Sequence, residues 1–342
     1  MRVSKRVLVA GGGILLVAAT FFFFLPRIAD YRDVWEVVQT LSWEWCVALV
    51  VATAVNIATF APPWLALLPG LRFWPALMTT QASTALALVV PGGAAVGIAT
   101  QYGMLRRSGF GTQAVARAVT LVSLWNQFAN LAYPIVAVFL LTITGEDTKL
   151  LATVAFVGVA ILGVAVAALV LVLYSSRMAE DIGDIAARGA SWARGRLHRD
   201  PVAWNGRSFE RFRVDAVGLL QRRWHVLTLA TLAGSLTVFA VLLVSLRALG
   251  VPAEDVSVTE AFAAWSLARI LGSIPITPGG IGIVELSLSA ALIGFGGANA
   301  EVVAAVLVYR FMTMVPTIVL GIVAAARWRR SRPEAALPGA EI

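Results

Sequence analysis

Long apolar runs separated by short charged segments repeat along the whole chain. Runs at 7–25, about 45–68, about 115–142, 150–174, 225–249 and 301–325 are each long enough for a helix to cross the ~30 Å hydrocarbon core of a bilayer. Two further apolar runs, about 75–105 and about 261–293, carry proline and glycine in their middles. Proline removes a backbone donor and clashes with the preceding turn, and glycine loosens the backbone, so neither run supports one continuous helix. Each arm of the first, roughly 15 residues, rises about 23 Å and falls short of a full crossing. The pattern predicts an all-α polytopic membrane protein with about six full spans and two broken, re-entrant helical hairpins.

The polar segments between the runs give the chain a direction. Arg2, Lys5 and Arg6 precede the first run; Arg72, Arg106 and Arg107 flank the first hairpin; ten arginines against six acids occupy 175–224; Arg327, Arg329, Arg330 and Arg332 close the chain. Positive residues stay cytoplasmic, which predicts both termini and the 175–224 loop on that side of the plasma membrane. The acidic segments at 26–44, Glu146-Asp147 and Glu254-Asp255 then lie outside. A signal peptide is the rival reading of 7–25, but the run is long and no small-residue cleavage site follows it. Within 175–224, Ile182, Ile185, Trp192 and Leu197 line one face of a surface helix on anionic lipid, or the segment is a solvated loop whose arginines only fix orientation.

Each half then holds the same parts: two spans, a broken hairpin and a closing span. The units are 1–149, with its hairpin at 75–105, and 150–326, with its hairpin at 261–293, followed by a basic tail at 327–342. The second unit is inverted relative to the first. Gly109-Phe110-Gly111 and Gly294-Phe295-Gly296 follow the two breaks, and Pro134 and Pro316 fall at similar places in the closing spans. Inverted repeats with broken helices place a transport site at the membrane midplane.

Composition excludes other classes. With 59% hydrophobic and 13% charged residues and a mean hydropathy of +0.83, the chain is no ordinary soluble domain. The net charge of +8 sits in the flanking segments, with no basic run interleaved with aromatics, so nucleic acid is not an expected partner. Cys46 is alone, and His198 and His225 fall in or beside the polar loop. No Ser/His, paired-acid or metal constellation stands within the spans, so no enzyme activity, cofactor or metal is expected.

Candidate chemistry concentrates at the breaks. After Pro278-Gly279-Gly280, and again after Pro91-Gly92-Gly93, a half-helix begins whose first amides lack intrahelical partners and favour an anion. The alternative is that these residues only permit tight turns. Arg269, Glu285 and Arg310 are ionisable residues inside membrane segments, and such residues are functional candidates. Folding 261–293 about Pro278 brings Arg269 and Glu285 to similar depth, so an Arg269–Glu285 pair is expected with Arg310 as a second cation, leaving a net positive site for a lipid phosphate. The first half has Ile98 where a matching carboxylate would stand; Gln81, Gln101, Asn126, Gln127 and Asn130 supply polarity there. Asn126 and Asn130 share a helix face at a spacing of four, as headgroup contacts or interhelical glue.

The motif Pro275-x-Thr277-Pro278-Gly279-Gly280-x-Gly282-x-x-Glu285, with Tyr309-Arg310 downstream and Pro91-Gly92-Gly93 and Leu105-Arg106-Arg107-x-Gly109 upstream, resembles the lysylphosphatidylglycerol synthase transmembrane (flippase-like) family over roughly 7–326. The resemblance implies movement of a lipid or lipid-linked headgroup between leaflets, with Arg269, Glu285 and Arg310 at positions that matter. Many members carry a soluble aminoacyltransferase domain after the membrane part; about 16 residues follow Ala326 here, so the chain is not expected to make lysyl-lipid by itself. The leading expectation is translocation of an anionic phospholipid or polyprenyl-phosphate glycolipid, bound by Arg269, Arg310, Glu285, Thr277, Gly279, Gly280, Gly92, Gly93, Asn126 and Asn130. The alternatives are a partner subunit that docks a membrane glycosyltransferase or synthase through 175–224, and an ion-coupled carrier of a small solute using Glu285.

Overall fold

A computed structural model describes residues 30–90, 93–143, 175–195, 206–274 and 277–330, with four single positions between 160 and 167. The runs at 7–25 and 150–174, the tail beyond 330, and Pro91, Gly92, Pro275 and Ile276 lie outside the described residues, apart from those single positions.

Among the described residues all regular structure is helical. An amphipathic helix, α1 (Tyr31–Gln39), precedes α2 (Trp43–Ala58) and α3 (Pro62–Leu67). The first hairpin is α4 (Phe73–Val89) and α5 (Gly93–Arg107), followed by α6 (Thr112–Ile143). Then come α7 (Ser176–Gly195) and α8 (Gly206–Ala248). The second hairpin is α9 (Val258–Ser273), a 3₁₀ turn (Pro278–Gly280) and α10 (Ile283–Gly294), and α11 (Asn299–Arg330) closes the chain.

Four helical stretches are long and apolar enough to span: Trp43–Leu67, Thr112–Ile143, Arg213–Ala248 and Asn299–Trp328. They coincide with the four expected spans that fall on described residues. A multi-pass, all-α membrane protein follows. The hairpin arms hold 17, 15, 16 and 12 residues, or about 25, 22, 24 and 18 Å of helix, each shorter than the ~30 Å core.

Two features refine the expected path. The span Trp43–Leu67 is interrupted: α2 stops at Ala58 and α3 restarts at Pro62, because Pro62 and Pro63 cannot donate to the preceding turn. Of the alternatives for 175–224, the described residues are helical, as α7 and the first turns of α8; the 43 residues of α8 run for about 65 Å at 1.5 Å per residue. Arg117 of α6 pairs with Asp215 in those turns.

The packing order is reciprocal between the halves. Besides packing on its own second arm, α4 packs most extensively on α11, the closing span of the other half; α9 likewise packs on α6. Small residues permit the first contact: a Cβ on Gly321 of α11 would lie 2.3 Å from the Ala85 methyl and 2.9 Å from the Gln81 carbonyl oxygen of α4. Aromatic rings fill the second region, where Tyr133 of α6, Phe239 of α8, and Phe262 and Trp265 of α9 meet at centroid separations of 5.2–6.1 Å. Helix α8 packs on helices of both units and is joined to α2 by Asn56, whose amide donates to Thr237 Oγ1 at 3.1 Å.

Candidate functional site

The second break is a glycine turn held by a carboxylate. Gly279, Gly280 and Gly282 take φ values of 60°, 66° and 89°, a left-handed region costly to residues with a Cβ. There the chain reverses so tightly that a Cβ on Gly280 would lie 3.1 Å from the Gly272 Cα. The turn also abuts the first hairpin: a Cβ on Gly279 would meet the Leu88 side chain at 2.6 Å. The second break therefore packs on the last turn of α4, where Leu88 stands.

Glu285, 2% exposed, organises this turn. Its Oε2 accepts the Gly282 N–H at 2.6 Å, and its Oε1 accepts Nε–H of Arg310 at 2.6 Å. Another Arg310 nitrogen donates to the Gly279 carbonyl at 3.0 Å. Buried charge is tolerable when it is paired and its remaining valences are bonded; here the break is a closed, neutral ring. The carboxylate sits at the third residue of α10, so it caps its own helix and fills the place where the expected anion would have bound.

Arg269 does not pair with Glu285. Its Nε and Nη2 donate to Asn130 Oδ1 at 3.0 and 2.7 Å, and its guanidinium lies 4.9 Å from the Trp265 ring centre. The cause is azimuth: Trp265 and Arg269 are four apart on the face of α9 that meets α6, whereas Glu285 on α10 meets α11. Asn130 in turn donates to Gln127 Oε1 at 3.3 Å. Pro134, four residues on, cannot donate to the Asn130 carbonyl, which loosens α6 beside this contact. Among the described residues no carboxylate pairs with Arg269.

Arg269 reaches a polar cavity of about 190 Å³ lined by α3, α4, α5, α6, α8 and α9 and by the turn between α2 and α3. Its hydroxyls include Thr80, Ser83, Thr84, Ser123, Thr231 and Ser235, its carboxamides are Gln101 and Asn126, and Arg269 is its charge among the described residues. Thr80 and Ser83 stand roughly 11 and 15 Å into α4, and Arg269 roughly 17 Å into α9, at 1.5 Å per residue, near mid-depth of a ~30 Å core. The break in α2–α3 contributes Thr59, Phe60, Pro63 and Trp64.

The cavity thus unites Arg269 and Asn126, with Asn130 behind the arginine. Thr277, Gly279 and Gly280 lie in the separate turn at the break, which Glu285 and Arg310 close; Gly93 is buried at the start of α5, where a Cβ would collide with the Ala87 carbonyl at 2.2 Å. Gly92 lies outside the described residues. Thr231, Ser235 and Thr59 were not signalled by the sequence reading; the Pro62-Pro63 pair was the available sign of the break beside them.

The family described as the lysylphosphatidylglycerol synthase TM region matches residues 9–321. The chain belongs to this family. That span takes in both hairpins, the cavity and the break, and all of the described helices but the last nine residues of α11. No curated protein matches the chain.

Proposed function

We propose that this member of the lysylphosphatidylglycerol synthase TM family translocates a phosphate-bearing lipid between leaflets of the plasma membrane, without a covalent step. The observation that carries the reading is Arg269, a cation near mid-depth with only neutral partners among the described residues, opening into a polar cavity between the two halves. A charge held there is costly unless it serves a ligand or pathway, and a guanidinium is suited to a phosphate oxygen pair.

The reciprocal packing of α4 on α11 and α9 on α6 supports an inverted repeat. The contact of Gly279 with Leu88 supports the breaks as the place where one hairpin shifts against the other. In this mechanism the Glu285–Arg310–Gly279 ring keeps the second break rigid while the cavity alternates its opening. The arginine-flanked ends at Arg72 and Arg106-Arg107 are assigned to the cytoplasm, and both termini with them.

A second reading, docking of a membrane synthase or glycosyltransferase, draws support from α7, where Ile185 and Trp192 are 61% and 63% exposed. Alkylation separates the two. In a Cys46→Ser background, Ser123→Cys places a thiol in the cavity and Val50→Cys one on the outer face of α2. A bulky maleimide at position 123 is expected to stop lipid transport and at position 50 to leave it intact. Unchanged transport after full labelling at position 123 would rule the cavity out as the path.

A further inference from the structure

We infer that the cavity selects a phosphodiester whose headgroup carries hydroxyls and rejects a headgroup carrying an ammonium. The inference rests on the transport reading for its ligand being a lipid, and on the cavity alone for its selectivity.

The charge argument comes first. Arg269 supplies one positive charge, and no aspartate or glutamate is found among the described lining residues. The apolar runs at 7–25 and 151–174 contain no acid either. A phosphodiester carries one negative charge and matches one guanidinium. An ammonium at this depth would meet a like charge with no carboxylate to receive it, and an unpaired ion out of water is strongly disfavoured.

The hydrogen-bond inventory then narrows the headgroup. Thr80 and Ser83 spend their O–H groups on the carbonyls of Ala76 and Thr80, both at 2.9 Å, so they offer only lone pairs. Thr231 is 4% exposed and its Oγ1 has no partner among the described residues, although buried polar atoms are nearly always bonded. Gln101 and Asn126 offer both donors and acceptors. A bare phosphate accepts only and would leave the Thr80 and Ser83 lone pairs unmatched. A glycerol or sugar hydroxyl donates as well as accepts, and satisfies both kinds of wall. The volume of about 190 Å³ is many times the ~10–15 Å³ that holds one water, enough for such a headgroup.

Binding tests this apart from transport. The solubilised full chain is titrated, with tryptophan fluorescence as the signal, against short-chain phosphatidylglycerol, phosphatidylmethanol, lysylphosphatidylglycerol and phosphatidylethanolamine, and against glycerol 3-phosphate. Phosphatidylglycerol is expected to bind tightest. Phosphatidylmethanol, equally charged but without hydroxyls, should bind about fivefold more weakly, the worth of a hydrogen bond. The two ammonium lipids and the chainless glycerol 3-phosphate should each be at least about tenfold weaker. Thr231→Val should shrink the gap between phosphatidylglycerol and phosphatidylmethanol, and Gln101→Glu should weaken phosphatidylglycerol while strengthening the ammonium lipids.

Equal binding of phosphatidylmethanol and phosphatidylglycerol would overturn the selection for hydroxyls. Lysylphosphatidylglycerol or phosphatidylethanolamine binding as tightly as phosphatidylglycerol would overturn the selection against ammonium. Glycerol 3-phosphate binding as tightly as the lipid would overturn the lipid as the source of the headgroup. A chain that shows the ranking but moves no lipid in vesicles defeats the transport reading and upholds this one; lipid movement without the ranking does the reverse.

Discussion

Glu285→Ala should destabilise the fold more than any other single change at a polar membrane position. The carboxylate is 2% exposed and its partner Arg310 13% exposed on its side chain, so neither has water to fall back on. Two bonds of 2.6 Å are lost, one from the Arg310 guanidinium and one from the Gly282 amide. Breaking a buried pair by removing one partner costs about 3–5 kcal/mol, of which the orphaned amide represents about 1–3. Arg310→Met strands Glu285 in the same way and should cost a similar amount. The double variant Glu285→Gln/Arg310→Met removes both charges and keeps an acceptor oxygen for Gly282, so it should cost about 1–2 kcal/mol. Unfolding in detergent by sodium dodecyl sulfate, followed through the tryptophans, gives the cycle Glu285→Gln, Arg310→Met and both together. A coupling energy of at least about 2 kcal/mol is expected. A value below about 0.5 kcal/mol, the range of independent sites, would refute the ring as a unit.

Other sites give sharper local tests. Gly279→Ala forces a Cβ at φ 60° against the Leu88 side chain 2.6 Å away, and should cost about 1–2 kcal/mol of backbone strain before the clash is counted, read in the same unfolding assay. Gly321→Ala should loosen α11 from α4, since the backbone oxygen of Gln81 cannot move aside at 2.9 Å; a lower unfolding midpoint and faster proteolysis near α4 would show it. Asn56→Leu removes the bond to Thr237 that ties α2 to α8 and should cost about 0.6–1.7 kcal/mol, the range for interhelical hydrogen bonds in membranes; no change would mean that packing alone joins them.

The parts legible in the sequence were those set by local chemistry. Hydropathy located the four spans that fall on described residues, and proline with glycine located both hairpins, because each acts within a few residues of itself. The break at 59–61 was averaged away within an apolar run although Pro62-Pro63 marked it. The partners of Arg269 and Glu285 were not legible: which face of α9 meets α6 is decided by tertiary packing, and it gave Arg269 to Asn130. The spacing Gly282-x-x-Glu285 did contain the answer for Glu285, because a glutamate three residues after a helix cap reaches back to it. The cavity could not be read from any one stretch, since its hydroxyls come from α4, α6 and α8 as well as the α2–α3 break.

Leaflet-resolved movement of labelled phosphatidylglycerol in proteoliposomes tests the central claim most directly, comparing the wild-type chain with Arg269→Gln. That substitution removes the cavity's cation but leaves the Glu285–Arg310 ring, so the protein should fold and its transport should fall to the level of empty vesicles. Full transport by folded Arg269→Gln, or none by folded wild type with any phosphate lipid, would contradict a phosphate path through this cavity.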